Sequence, residues 1–494
     1  MNLPPELAQI QKEIESHAIS YGLDFFETHF ELLDFDQINQ VASYGGIPTR
    51  YPHWRFGMEY ESLSKGYRYG LQKIYELVIN NDPTYAYLMK SNAIVDQKLV
   101  MSHVYGHADF FKNNLWFAHT NRKMIDEMAN HGTRIRRYIE DFGQDVVETW
   151  MDHCLSIEHL IDPHAPPYSR YDPRGRPLSD SHQPTQPPRG QSGNQRQYMN
   201  RFLRQRSRSS QNLSTEQSLA TGQDNLPETP QRDILLFLIE NAPLQRWQRD
   251  ILEIIRSEAY YFAPQAQTKI LNEGWASYWH SKIMTEKVLT DSELIDYADH
   301  HSATMAMSPG SLNPYKLGIE LLRDIEREWD ANSKDIERHS ISSNGTDPVI
   351  TGKQKIFEIR TIYNDIGFID TYLTESFCRR HALFTTSIDP KTGEHVVDSR
   401  EFGDIKRLLL FQLTNHGRPL IRVHHSNHAN RGELYLVHQH EGVDLHIESA
   451  HSTLRNLQAI WKRPVHLETR VDNEGCILSF DGKECAERSL SSTS

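Results

Sequence analysis

Between residues 163 and 230 the chain all but stops using apolar side chains. The text "PHAPPYSRYDPRGRPLSDSHQPTQPPRGQSGNQRQ", followed by "RQRSRSSQNLSTEQSLATGQ", is built of Pro, Gly, Ser, Gln and Arg. Such a segment cannot bury enough surface to offset the entropy of ordering it. It is expected to be a disordered insert, and the low mean hydropathy of -0.64 reflects it. Any core must therefore be assembled from the sequence on either side. The expected organisation is a first helical part at 1–162, the insert at 163–230, a second helical part at 231–382, and a small β-rich or α/β module with a disordered tail at 383–494.

Helical spacing dominates the flanks. "PPELAQIQKEIESHAISYG" opens on prolines and closes on a glycine, as helices do. "SKGYRYGLQKIYELVINNDP", "AIVDQKLVMSHVYGHADFFKNN" and "DFGQDVVETWMDHCLSIEHLIDPH" repeat apolar residues on one helical face. The pattern resumes after the insert from "RDILLFLIENAP" to "SYWHSKIM", and again in "NPYKLGIELLRDIEREWD" and "GKQKIFEIRTIYNDIGFIDTYLTESFCRRH". From about residue 383 shorter runs such as "RPLIRVHHS", "GELYLVHQHEG", "PVHLETRVDNEG" and "CILSFDGKE" are rich in β-branched residues and bounded by turn signals. The expected fold class is α+β: a mainly α-helical core beside a smaller β-rich C-terminal module.

Charge and cysteine usage exclude several functions. The 494 residues carry a net charge of -13, which argues against a general nucleic-acid binder, since phosphate attraction needs a basic face. The "RFLRQRSRSS" run inside the insert is the exception, and a solvated linker is its plainer reading. Four cysteines, none in a CxxC pair, fit neither a zinc ribbon nor a disulfide scaffold and suit a reducing compartment. The N-terminal text lacks a signal pattern, and no run of about 18 apolar residues exists. A cytoplasmic chain without a membrane span is expected.

Two motifs carry the chemistry. In "SHVYGHADFF", His103 and His107 are four apart, which places both rings on one helical face. Paired imidazoles of this kind chelate a divalent metal in zinc helices. In "KILNEGWASYWH", Glu273 follows Asn272, in the manner of the glutamate that a later helix contributes to gluzincin sites. His280 shares the face of Glu273 two turns on, as a fourth ligand or a proton shuttle. The expected metal set is His103, His107 and Glu273, with zinc the ion, in a zincin-like arrangement. The glutamate that follows the first histidine of a zincin and acts as general base is replaced by Val104. A base would have to come from elsewhere, such as Asp109, Glu258 or Tyr278. Glu258, Tyr278 and His280 are the expected catalytic residues. The plain alternative is that Glu273 forms a helix–helix ion pair and the histidines are packing residues.

Other constellations are weaker. Glu148, Asp152 and His159 share a helical face, but Glu158 and His159 are adjacent rather than in the Glu-x-x-His spacing of di-iron bundles. His300 and His301 point apart on a helix. The histidines of "RVHHSNHANRGELYLVHQH" have no cysteine or acid cluster at useful spacing. There is no GxSxG, and Cys154 sits in an apolar helical pattern that suits a structural thiol.

The run of "SHVYGHADFFKNN", "LSIEHLIDPH", "ILNEGWASYWH", "DHHSA" and "NPYKLG", in this order, resembles the stage V sporulation protein R (SpoVR) family, from about residue 51 to 377 and loosely into the C-terminal module. The resemblance implies a bacterial or archaeal cytoplasmic protein. It also implies a link to spore-cortex formation or stress response, and partnership with a serine protein kinase and a protein with a von Willebrand-type domain. It carries over no biochemical activity. Two readings follow: a metal-dependent hydrolase, or a non-enzymatic regulatory or scaffold protein acting with the kinase.

Overall fold

The computed structural model describes residues 3–68, 76–164, 231–306, 312–340, 350–388 and 393–490. The insert expected at 163–230 lies outside the described residues from 165 onward, as do residues 491–494 of the expected C-terminal tail. Helices α1 (Pro5–Ser20), α2 (Phe35–Ser43) and α3 (Trp54–Arg68) frame strand β1 (Thr28–Leu33); β2 (Leu77–Ile79) and β3 (Thr84–Met89) follow. Next come α4 (Ile94–Asn113), α5 (Met124–Phe142) and α6 (Gln144–Leu155). Beyond residue 230 run α7 (Ile234–Asn241), α8 (Arg246–Gln267), α9 (Lys269–Ile283), α10 (Leu294–Thr304), α11 (Pro314–Ser340), α12 (Gly352–Ile362), α13 (Asp365–Tyr372) and α14 (Glu375–Arg380). The C-terminal part holds the hairpin β4 (Thr385–Ile388) and β5 (His395–Ser399), then α15 (Phe402–Leu413), β6 (Ile421–His428), β7 (Glu433–His438), α16 (Ile447–Trp461), β8 (Val465–Val471), β9 (Glu474–Phe480) and β10 (Cys485–Ser489).

The fold is α+β, with a small β-sheet module at its C-terminal end. Helix starts follow local chemistry. Asp34 and Gln37 form a capping box on α2, and Thr351 and Gln354 do the same on α12. The N-terminal region differs from the mainly helical expectation. It contains a three-stranded sheet ordered β1-β3-β2, with β1 parallel to β3. "SKGYRYGLQKIYELVINNDP" is accordingly not one helix: α3 ends at Arg68 and "LVI" is strand β2. The C-terminal sheet has order β10-β9-β8-β7-β6, with α16 on one face.

The architecture that positions the site is a stack of three helices. α9 lies between α4 and α11, and small residues set its distance from both. A Cβ on Gly106 of α4 would fall 2.6 Å from the Cα of Ala276 on α9, well inside contact distance. On the other side, Gly274 of α9 meets Gly318 of α11 backbone to backbone, with no room for a methyl on either. Around this stack Trp275, Tyr278, Trp279, Tyr105 and Phe110 are fully or almost fully buried in one apolar core, which also takes in Ile405 and Leu409 of α15. A second core joins α6, α7 and α8 to the C-terminal sheet through residues such as Trp150, Leu235, Ile251, Leu436 and Leu457. Among the described residues, no helix is long and apolar enough to cross a membrane.

Candidate metal centre

α4 and α9 carry polar residues into the middle of the first core. His103 and His107, one turn apart, stack at 4.6 Å between ring centroids and are 2% and 3% exposed. Opposite them α9 presents Glu273, which is 5% exposed. A fourth side chain, Glu76, enters just before β2. Glu76, His103, His107 and Glu273 bring four ligand atoms within 4.8 Å of one another, the one such group among the described residues.

The atoms converge. His103 Nε2 lies 3.3 Å from Glu76 Oε1 and 3.4 Å from Glu273 Oε2. His107 Nε2 lies 3.3 Å from Glu273 Oε2 and 3.9 Å from Glu76 Oε1. Zinc bonds of roughly 2.1 Å in a tetrahedron put neighbouring donors ~3.4 Å apart, so three of these four separations suit a shared ion. The far side of each ring is also engaged. His107 Nδ1–H donates to Asn272 Oδ1 at 2.9 Å, which turns Nε2 toward the carboxylates. His103 Nδ1 meets His280 Nδ1 at 2.8 Å, and His280 Nε2 reaches His301 Nδ1 at 3.4 Å. An outer partner that fixes ring orientation and tautomer is what metal-binding imidazoles have. The donor set thus fits a divalent metal of the zinc, iron or manganese type.

The electrostatics are those of a buried cluster that balances itself. Burial alone would push His107 down, but Glu273 and Glu76 outweigh it and raise it to about 10. Burial opposes and Glu76 dominates in raising His103. Burial would raise both acids, yet the two histidines hold Glu76 and Glu273 well below the usual carboxylate range. Lys269, one turn before Glu273, reaches its other oxygen at 2.5 Å. Tyr315 of α11 stands beside His103, its hydroxyl 3.4 Å from Glu76 Oε1. Burial and the two acids push that phenol up, so it stays protonated. His280 is pushed well below its ordinary value by burial and by His103, so it is neutral.

The structure therefore gathers His103, His107, Glu273 and His280, with His280 behind His103 rather than among the converging atoms. The other expected catalytic groups are elsewhere. Glu258 of α8 is buried in its own network, taking Arg50 at 2.6 Å and His131 at 2.9 Å. Tyr278 points away from the cluster and donates to Glu326 at 2.6 Å. Asp109 accepts from the indole N–H of Trp275 and the backbone N–H of Asp24, both at 2.8 Å, and clamps α4 to its neighbours. Val104 is fully buried.

The lesser constellations disperse as well. Asp152 takes the indole of exposed Trp54, Glu158 pairs with Arg55, and His159 turns toward the C-terminal module. His300 pairs with Asp96, while His438 is buried against Thr469 and His440 pairs with Asp444. Burial pushes the Cys154 thiol well up, which makes it inert. Sequence reading missed Glu76, Tyr315 and Asn272 as a metal ligand's partner. For Asn272 the Asn-Glu pairing was a usable signal; Glu76 and Tyr315 sit in text with no spacing that ties them to a histidine.

Comparison with known proteins places the chain. It belongs to the SpoVR family: the family described as SpoVR like protein matches residues 2–418, and the SpoVR-like C-terminal domain matches residues 419–472. The chain is 31% identical over 399 residues to the uncharacterized protein YcgB of Escherichia coli (strain K12), a match that covers 77% of this chain and 74% of that protein. No solved structure matches it significantly.

Proposed function

We propose that this SpoVR-family chain is a metal-dependent hydrolase in which His103, His107 and Glu273 hold a divalent ion, zinc foremost, and Glu76 acts as the general base. The observation that supports it most is the convergence of two imidazole Nε2 atoms on two carboxylates, with each Nδ1 already engaged from behind. Two histidines and one glutamate are a ligand set that leaves an open position in catalytic zinc sites. A bound ion would supply Lewis acidity toward a peptide or amide carbonyl. Glu76 faces both histidines and is ionised, so it is able to take a proton from an attacking water. Tyr315 remains protonated beside it and can donate to developing negative charge. The family's name links the chain to sporulation, and a cytoplasmic place in that process or in stress response belongs to the same proposal.

The roles separate by mutation. Elemental analysis of purified wild-type protein should find about one metal ion per chain, lost in His103→Ala and Glu273→Ala. Glu76→Gln should keep the ion and lose turnover of amide substrates by roughly 10²–10⁴-fold, the usual contribution of a general base. Metal loss in Glu76→Gln with unchanged folding would make Glu76 a ligand and overturn its role as base.

One observation favours the second reading, a non-enzymatic scaffold acting with a serine protein kinase and a von Willebrand-type domain protein. Lys269 and the raised histidines already neutralise Glu76 and Glu273, so the cluster is able to fold without metal. A metal-free, fully folded preparation that binds the kinase tightly would support that reading.

A further inference from the structure

Where the C-terminal sheet meets the helical core lies a cavity of about 370 Å³. Its floor is apolar, formed by buried Leu420, Ile421, Leu436, Leu454 and Leu467. Its lips expose further apolar surface, Val443 at 57% and Phe411 at 37%. Beside Val443 stand the exposed acids Glu441 and Asp444, the latter paired with His440 at 2.7 Å, and Arg418 also lines the cavity. The described residues that flank the 165–230 segment lie at or beside this cavity. Upstream, His159 and Leu160 line it, and the described chain stops at His164. Downstream, Gln231 pairs with Val423 of β6, two residues from Ile421, and Arg232 donates to the lining residue Asn415 at 3.0 Å.

We propose that residues 198–208 of the chain's own insert, "YMNRFLRQRSR", dock in this cavity. Complementarity selects this stretch. Tyr198, Met199, Phe202 and Leu203 form a dense apolar group in the insert, and five arginines between 196 and 208 accompany them without a single acid. Phe202 and Leu203 match the leucine floor, and the arginines match Glu441 and Asp444. Reach is sufficient: Phe202 lies near the middle of the segment, and about 30 tethering residues on either side span ~30 Å. A tether of this length gives an effective concentration in the millimolar range, so modest affinity is enough to populate the docked state. Docking here covers the junction between core and C-terminal module, and it accounts for the basic run that the metal centre leaves unused.

Hydrogen exchange on the full-length protein tests this, comparing wild type with Phe202→Ala/Leu203→Ala. These substitutions lie in the insert and alter no residue of the two described cores. Amides of the 439–446 loop and the first turn of α16 should exchange roughly tenfold faster in the variant. A synthetic peptide of residues 195–210 should restore the protection, and Glu441→Lys/Asp444→Lys should prevent that rescue. Equal exchange in wild type and variant overturns the proposal and leaves the cavity to a small apolar ligand. Protection that rises with protein concentration overturns it in favour of docking between two copies.

Discussion

At the scale of single residues, the site depends on what stands behind the ligands as much as on the ligands. Asn272 holds His107, and His280 holds His103, each through Nδ1. Removing such an outer partner usually costs 10–100-fold in metal affinity. Asn272→Ala should therefore keep its fold and bind zinc that much more weakly in a competition titration with a chelator; unchanged affinity would mean that the ring is oriented by packing alone. The sequence made half of this site legible. The four-residue spacing of His103 and His107, and the Asn-Glu pair at 272–273, were readable because helical periodicity ties each to a face. Glu76 was not readable. It stands alone between a helix end and a three-residue strand, and only the tertiary fold carries it to the histidines.

At the scale of elements, the close stacking of α4, α9 and α11 is the device that brings the ligands of α4 and α9 together. It rests on Gly106, Gly274 and Gly318, each where a methyl would collide with a facing helix. Overpacking of this kind costs typically 1–3 kcal/mol. Gly274→Ala should lower stability by at least about that amount in denaturant unfolding, because its clash is with backbone that cannot rotate away. It should also weaken metal retention, since Glu273 is the adjacent residue. A variant with wild-type stability would show that α9 and α11 are free to separate. Helix positions were largely legible from apolar spacing, as were the C-terminal strands. The N-terminal sheet was not, because "HFELL" and "TYAYLM" are short apolar runs whose parallel pairing depends on partners more than fifty residues apart.

At the scale of the whole molecule, the helical part meets the C-terminal sheet beside the half-buried His159 and the buried His438. Burial pushes His159 and His438 down to about 4 from an ordinary 6.5. Below 6.5 the unfolded chain takes up these protons while the folded chain refuses them until about 4, so stability falls as pH drops through that window. Denaturation midpoints should decline between pH 6.5 and 4, and the decline should be smaller in His159→Gln/His438→Gln. An equal decline would assign the acid sensitivity to other groups. None of this was legible in the sequence, where His159 read as part of an acid–histidine face and His438 as solvated; burial at an interface between distant segments leaves no local pattern.

The most direct test of the metal centre is X-ray absorption spectroscopy of the zinc-loaded full-length protein beside His103→Ala. The expected spectrum shows two imidazole ligands with oxygen donors in the wild type, and one imidazole or no bound ion in the variant. A wild-type ion with no imidazole signature, or protein that holds no ion at stoichiometric zinc, would contradict it and leave the four side chains as a self-neutralised ion cluster.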